Sequence, residues 1–101
     1  MSKFYEKASA VEAITFDELV AHGLASGTPH IHNGMPWSFE YKGRPVTHEN
    51  DDCYLVIFLG ETVRFERGEM LVTDAKGNTR PMSAHAFERD YAPIPFLALP
   101  V

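Results

Sequence analysis

The strongest structural signal in this sequence is the segment Cys53-Tyr54-Leu55-Val56-Ile57-Phe58-Leu59. Its residue types favour strands, and it lacks the alternation of polar and apolar residues that marks a half-exposed strand. A short, continuous apolar segment is typical of a strand that is covered on both faces. We therefore predict that residues 53–59 form the central strand of a sheet.

Segments with alternating polar and apolar residues lie on both sides of this strand. Before it, Trp37, Phe39 and Tyr41 alternate with polar residues, and Lys42-Gly43 predicts a tight hairpin turn. Further strands are predicted over residues 10–15, 62–67, 70–73 and 79–82. Pro81 limits the last of these to an edge of the sheet, because proline cannot donate a ladder hydrogen bond.

A helix near residues 16–25 follows the first of these strands. Thr15 and Glu18 fit a capping box, in which the threonine hydroxyl accepts from the third helical amide and the glutamate reaches back to the cap. The apolar residues that follow recur at helical spacing and form one stripe. We expect Gly23 and Gly27 to end this helix, because glycine supplies the flexible backbone found at helix C-termini.

The remaining segments are predicted to be irregular or to close the fold. Residues 28–36 hold two prolines, a glycine and an asparagine, so we predict a loop there. Ser83 is suited to cap a short helical turn that extends through Tyr91 and that Pro93 terminates. The prolines of the apolar tail at residues 94–101 exclude a stable helix. We expect this tail to lie extended against its own domain or against a second copy of the chain.

These segments predict an α+β fold in a single domain, residues 1–101. Its elements are a small antiparallel, curled β-sheet of five or six strands, one N-terminal helix packed on the sheet and a short C-terminal helical turn. The chain has 101 residues, of which 45% are hydrophobic, and these values suit one globular domain but not two.

Charge and hydropathy exclude several classes of protein. Nine lysines and arginines against fourteen aspartates and glutamates give a net charge of −5, so direct binding of nucleic acid is not expected. No apolar segment approaches the ~20 residues of a membrane-spanning helix, so no membrane partner is expected. A single cysteine cannot form an internal disulfide, which favours the reducing cytoplasm. No sequence feature implies a cofactor.

The histidines offer a candidate metal site. In an extended chain the side chains of His30 and His32 point the same way, so two imidazoles can share a metal ion, and His48 with neighbouring acids can complete the site. The spacing matches no specific metal signature. The alternative is that these histidines are solvated or hydrogen-bonded polar residues.

A second candidate site is the run His48-Glu49-Asn50-Asp51-Asp52, which concentrates three acids between two predicted strands. Such a run is either a solvated loop or an acidic recognition loop for a basic partner surface. Trp37 can supply a rigid anchor beside it, since aromatic residues dominate binding hot spots. The adjacent Cys53 is expected to be a small core residue, because Asp51 and Asp52 would raise rather than lower its pKa.

The closing part of the chain resembles small phage and prophage proteins of the PGDYG type. Their pattern is a glycine-acid pair, an apolar strand, a glycine turn, a proline and a Phe-Glu-x-x-Tyr ending. The matching residues here are Gly68-Glu69-Met70-Leu71-Val72-Thr73, Gly77, Pro81, Phe87-Glu88 and Tyr91. Residues 35–41 and 45–51 also resemble related phage-borne proteins, and residues 10–14 are similar to their first strand. The resemblance implies a phage accessory protein and transfers no catalytic residue.

The leading hypothesis is a non-enzymatic phage or prophage accessory protein that binds a host protein. Its binding residues would be Trp37, His48, Glu49, Asp51 and Asp52, on a compact acidic surface, and inhibition of a defence or nucleic-acid-handling complex would suit it. One alternative is a small-ligand or metal-dependent enzyme that uses His30, His32 and His48. Another is a virion or assembly component that self-associates through a sheet edge and the tail at residues 94–101.

Overall fold

The computed structural model describes residues 3–6 and 10–93 of the chain. The helices are α1 (Phe16–Ala25) and α2 (Ala84–Asp90). The strands are β1 (Lys3–Glu6), β2 (Ala10–Thr15), β3 (Ile31–His32), β4 (Met35–Pro36), β5 (Ser38–Tyr41), β6 (Arg44–Asn50), β7 (Cys53–Phe58), β8 (Glu61–Glu66), β9 (Glu69–Thr73), β10 (Thr79–Ser83) and β11 (Ala92–Pro93). The tail at residues 94–101, and with it the prediction that this tail packs in an extended form, lies outside the described residues.

The described strands form three antiparallel sheets in an α+β arrangement. One has five strands in the order β10-β9-β2-β1-β11, one has four in the order β5-β6-β7-β8, and β3 pairs with β4 alone. The predicted α+β class is confirmed, but the prediction of one curled sheet is wrong. The chain leaves the four-stranded sheet after β8, and β9 pairs with β2. Because β2 and β9 bury residues on both faces, these two strands take interior places in a sheet of their own.

The apolar segment at residues 53–59 forms an interior strand of the four-stranded sheet, as predicted. Tyr54 and Val56 of β7 are fully buried on the core face. On the opposite face Ile57 is 39% exposed, and Leu59, in the turn that follows, is 81% exposed. The prediction that the strand is covered on both faces is therefore wrong at its C-terminal end.

Helix α1 lies at the junction between the sheets rather than on the face of one sheet. Its bounds agree with the prediction, and the capping box is present, with 3.1 Å from Glu18 N to Thr15 Oγ1 and 2.8 Å from Thr15 N to Glu18 Oε1. The main core packs around this helix. Its buried residues are Ile14, Phe16, Leu19, Phe39, Tyr41, Val46, Tyr54, Val56, Phe65 and Leu71. Both large sheets contribute to this core, so α1 joins them.

The predicted C-terminal helical turn is present, but it ends at Asp90, and Tyr91 is extended with φ −126° and ψ 146°, so the prediction that the turn continues through Tyr91 is wrong. Ser83 caps α2 by accepting a hydrogen bond from Ala86 N at 3.1 Å, and the rings of Phe87 and Tyr91 stack with centroids 5.0 Å apart. Strand β10, which contains Pro81, lies at an edge of its sheet. Neither helix of the described residues is long and apolar enough to span a membrane.

Residues 28–36 contain a short hairpin where the sequence predicted only a loop. Ile31 pairs with Pro36 and His32 with Met35, across a turn in which Asn33 and Gly34 have φ values of 51° and 75°. Two consecutive positive φ values define the turn type that favours Asn-Gly. The sequence predicted a loop here because Pro29 and Pro36 are typical of irregular segments, and the Asn33-Gly34 turn was not recognised.

Gly23 lies inside α1, so the prediction that it helps to end the helix is wrong, whereas Gly27 lies just beyond the C-cap with a φ of 81°. A Cβ atom on Gly23 would lie 2.6 Å from Pro36 Cγ and 2.7 Å from Phe39 Cε1. The glycine is therefore required for the close approach of α1 to β4 and β5.

Substitution of Gly23 with alanine is expected to lower the free energy of unfolding by about 1–2 kcal/mol, because overpacking outweighs the gain in helix propensity. Urea denaturation measures this change. The matched control is Ala21→Gly at an exposed position of the same helix, which should cost no more than ~1 kcal/mol through propensity alone. A Gly23→Ala variant that is more stable than the wild type would contradict the close packing.

Candidate functional site

Trp37 lies between β4 and β5, where backbone hydrogen bonds fix its position. Trp37 N donates to the carbonyl oxygen of His30 at 2.6 Å, and His48 N donates to the carbonyl oxygen of Trp37 at 2.8 Å. These bonds join the β3–β4 hairpin to strand β6. As a result, residues far apart in sequence meet at Trp37.

The indole of Trp37 is stacked between two imidazoles. The ring centroid of His32 lies 4.3 Å from that of Trp37 with an interplanar angle of 29°, and that of His48 lies 4.7 Å away at 7°. Two imidazoles stacked on the same indole face at these distances would overlap each other, so they lie on opposite faces. Trp37 nevertheless remains 38% exposed. The stack thus presents the edge of a rigidly held indole to solvent.

The imidazole of His48 is the more buried of the two, and contacts with neighbouring residues fix its position. The side chain of His48 is 6% exposed, and its Nε2 lies 3.1 Å from Asp51 Oδ1. The ring of Tyr54 meets that of His48 edge-on at 5.6 Å, and the Tyr54 hydroxyl donates to the carbonyl oxygen of Pro36 at 2.7 Å. Burial raises the pKa of Tyr54 to about 12, so this hydroxyl keeps its proton at neutral pH.

The acidic loop begins at an irregularity in the pairing of β6 with β7. His48 pairs with Tyr54, but Asn50 pairs with Cys53, so Glu49 is an extra residue in β6. Such a bulge re-aims the side chains that follow it. The Asn50 side chain then accepts a hydrogen bond from Asp52 N at 2.8 Å, which fixes the turn into β7.

Two arginines that the sequence interpretation missed hold the carboxylates of this loop. Glu49 is ion-paired with Arg64 of β8. Asp52 Oδ1 lies 2.9 Å from Nε of Arg67, and Arg67 Nη1 also lies 3.2 Å from Oδ1 of Asp17. The Arg67 guanidinium rests 4.5 Å above the ring of Phe16. Alternation in β8 points Arg64 outward, but only the sheet register identifies its acidic partner.

The loop and its neighbours form a locally negative surface. The charged groups are the carboxylates of Asp17, Glu49, Asp51, Asp52 and Glu66 and the guanidinium groups of Arg64 and Arg67. Five negative and two positive charges leave −3 while His48 is neutral, against −5 for the whole chain. A shallow hollow of about 520 Å³ opens among residues 50–53, Arg64 and Glu66.

The structure brings most of the sequence-predicted binding residues together. We call His32, Trp37, His48, Glu49, Asp51 and Asp52 the Trp37 surface. Trp37 contacts His48 directly, and His48 contacts Asp51. The sequence made His32 a candidate metal ligand, whereas in the structure its ring stacks on Trp37.

The geometry does not assemble the metal site proposed for His30, His32 and His48. The indole of Trp37 separates the imidazoles of His32 and His48, so these two cannot bind one metal ion. Within residues 3–6 and 10–93, no group of three or more His, Cys, Asp or Glu side chains is placed to hold one. Cys53 is buried, as predicted, and burial raises the pKa of its thiol.

Removal of metal ions is therefore expected to leave the fold intact. Incubation of the purified protein with excess chelator should not change its melting temperature, because a structural metal would contribute folding free energy that the chelator removes. Differential scanning fluorimetry measures this, with a zinc-dependent domain as the positive control. A fall of several degrees, or stoichiometric metal in the purified protein, would restore the metal hypothesis.

Comparison of the chain with family models, with curated proteins and with solved structures finds no match.

Proposed function

We propose that the protein is a non-enzymatic phage or prophage accessory protein that binds a host protein through the Trp37 surface. The observation that carries this proposal is the partly exposed indole held between His32 and His48 beside a locally negative loop. The proposal places the protein in the cytoplasm of the host cell.

The held indole is suited to anchor a partner. Tryptophan is enriched among the residues that dominate binding energy, and an anchor whose rotamer is already fixed loses little entropy on binding. The stack on both faces of Trp37 restricts its side chain, while its 38% exposure leaves area to bury. A tryptophan that served only the core would be buried, as Phe39 and Tyr41 are.

The charges around Trp37 favour a basic partner surface. The exposed carboxylates of Asp51 and Asp52 are oriented by His48 and Arg67, so they are fixed before the partner arrives. A fixed negative patch steers a positive surface toward it and raises the association rate. Host proteins that handle nucleic acid carry such positive surfaces, because they bind phosphates.

The resemblance to phage proteins of the PGDYG type supports the biological setting. It extends over roughly residues 35–92, which include Trp37 and the loop at residues 48–52. An acidic protein that occupies a phosphate-binding surface would inhibit a host defence or nucleic-acid-handling complex, because fixed carboxylates compete with phosphates for the same cations.

The test is capture of proteins from a bacterial host lysate by the tagged full chain. The wild type should retain a basic protein that high salt releases, and Trp37→Ala should not retain it. The control is Leu59→Ala, which removes a more exposed apolar side chain from the opposite end of β7. Equal capture by the wild type and Trp37→Ala would contradict the proposed surface.

A further inference from the structure

The turn between β7 and β8 places a leucine where the backbone favours asparagine or glycine. Leu59 and Gly60 have φ values of 53° and 79°, and two consecutive positive φ values define the tight turn that prefers Asn-Gly. A leucine is strained in this conformation, because its Cβ lies too close to the following carbonyl oxygen. The needs of the turn therefore do not explain Leu59.

The side chain of Leu59 also contributes little to the core. It is 81% exposed, more than any other large apolar side chain of the described residues. With Phe58 and Val63 it lines a mainly apolar hollow of about 250 Å³, which strand β10 closes on the other side with Thr79 and Arg80. A residue that strains the backbone and leaves apolar surface exposed is expected to serve a contact with another molecule.

The charges around this turn are net positive. The guanidinium of Arg44 lies 4.4 Å from the ring centroid of Phe58, and Arg80 forms no ion pair with a described residue. Three positive and two negative charges leave +1, and they belong to Arg44, Lys76 and Arg80 against Glu61 and Asp74. We call Phe58, Leu59, Val63 and these five charged residues the Leu59 end.

The Leu59 end and the Trp37 surface lie at opposite ends of the four-stranded sheet. Phe58 pairs with Glu61 at one end of β7, and Cys53 pairs with Asn50 at the other. The Leu59 end combines an exposed apolar side chain with a charge of +1, whereas the Trp37 surface combines a partly exposed indole with a local charge of −3. Each end is thus complementary to the other and not to itself.

We propose that a second copy of the chain docks its Leu59 end on the Trp37 surface of the first. Leu59 packs against the exposed edge of the indole, and the cations of the Leu59 end face the carboxylates of Asp51 and Asp52. Because two different surfaces meet, each copy keeps one of them free, and the copies assemble head to tail into open chains. The inference rests on the Trp37 surface that the proposed function uses, and a docked copy excludes the host protein from it.

The test is sedimentation velocity of the purified full chain over a roughly hundredfold range of concentration. The mean mass of the wild type should rise past that of a dimer, and added salt should lower it. Leu59→Asn should weaken the association about tenfold or more and raise the melting temperature by a few degrees, because asparagine relieves the strain and removes the apolar contact. The matched control is Leu59→Met, which stays apolar and should associate like the wild type.

A mixture of two variants distinguishes a head-to-tail contact from a symmetric one. Leu59→Asn retains only the Trp37 surface, and Trp37→Ala retains only the Leu59 end. Each variant alone should therefore stay monomeric, and an equimolar mixture should form a dimer that grows no further. If Trp37→Ala does not fold, the double variant Asp51→Asn with Asp52→Asn takes its place.

Three outcomes would overturn the proposal. They are a wild type that stays monomeric throughout, a Leu59→Asn variant that associates as strongly as the wild type, and an equimolar mixture that stays monomeric. Because sedimentation uses the purified chain alone, a failure here leaves the capture of a host protein untouched, and a failure of capture leaves the sedimentation result untouched. The inference and the proposed function can therefore fail separately.

Discussion

Replacement of Trp37 with alanine is expected to raise the dissociation rate of the partner complex about thirty-fold, which corresponds to ~2 kcal/mol. The truncation removes the exposed edge of the anchor and leaves His32 and His48 without the ring that orders them. Short-range packing acts on the bound state, so the association rate should change little. Surface plasmon resonance with the captured partner measures both rates. Because Trp37 is the only tryptophan of the chain, its fluorescence reports binding independently.

The acidic side chains of the Trp37 surface are expected to affect the association rate, whereas Trp37 affects the dissociation rate. Joint substitution of Glu49→Gln, Asp51→Asn and Asp52→Asn should slow association mainly at low salt, because steering acts over distances screened within about 8 Å at physiological ionic strength. Amides are the matched replacements, since lysines would face Arg64 and Arg67 and add repulsion within the fold. A Trp37→Ala complex with an unchanged dissociation rate, or full association of the amide variant at low salt, would place the contact elsewhere.

Local signals in the sequence predicted helix α1 and the β5–β6 hairpin, but not β1, β3, β4 or β11. The capping box of Thr15 and Glu18 fixes where α1 begins, and the Lys42-Gly43 turn fixes the register of the β5–β6 hairpin, in which both residues have positive φ. Each of these features depends on residues within a few positions of one another. Such short-range patterns determine local geometry without knowledge of the rest of the chain.

Which strands pair with each other could not be predicted, because the pairing depends on contacts between residues far apart in sequence. Strand β9 follows β8 by a tight turn but pairs with β2, more than fifty residues earlier, because both strands can be buried on two faces. Contacts between residues far apart in sequence also form the candidate site. The sequence indicates Trp37 as a possible anchor, but its stack with His32 and His48 arises from contacts with the β3–β4 hairpin and β6 that no local pattern shows. Arg67 reaches Asp17 across fifty positions.

The second large effect is a loss of folding free energy at alkaline pH. Burial raises the pKa of Tyr41 and of Tyr54 to about 12, with Glu12 adding to the effect on Tyr41. In the unfolded chain tyrosine loses its proton near pH 10, so between pH 10 and 12 the folded state binds more protons. Folding free energy that is fully present below pH 10 is therefore lost as the pH rises. We expect the two residues together to remove roughly 3–5 kcal/mol by pH 12.

Urea denaturation at a series of pH values from 8 to 12, followed by circular dichroism and by phenolate absorbance, measures this loss. Tyr41→Phe should keep the stability of the wild type at pH 8, because its hydroxyl has no partner among the described residues, and should flatten the slope above pH 10. Tyr54→Phe should flatten that slope similarly but cost about 1–2 kcal/mol at pH 8, because the buried carbonyl of Pro36 loses its donor. Lysines also titrate in this range, so the difference between each variant and the wild type is the decisive quantity. If both variants retain the wild-type slope, the two hydroxyls titrate as freely in the folded chain as in the unfolded one, and the buried environment inferred for them is wrong.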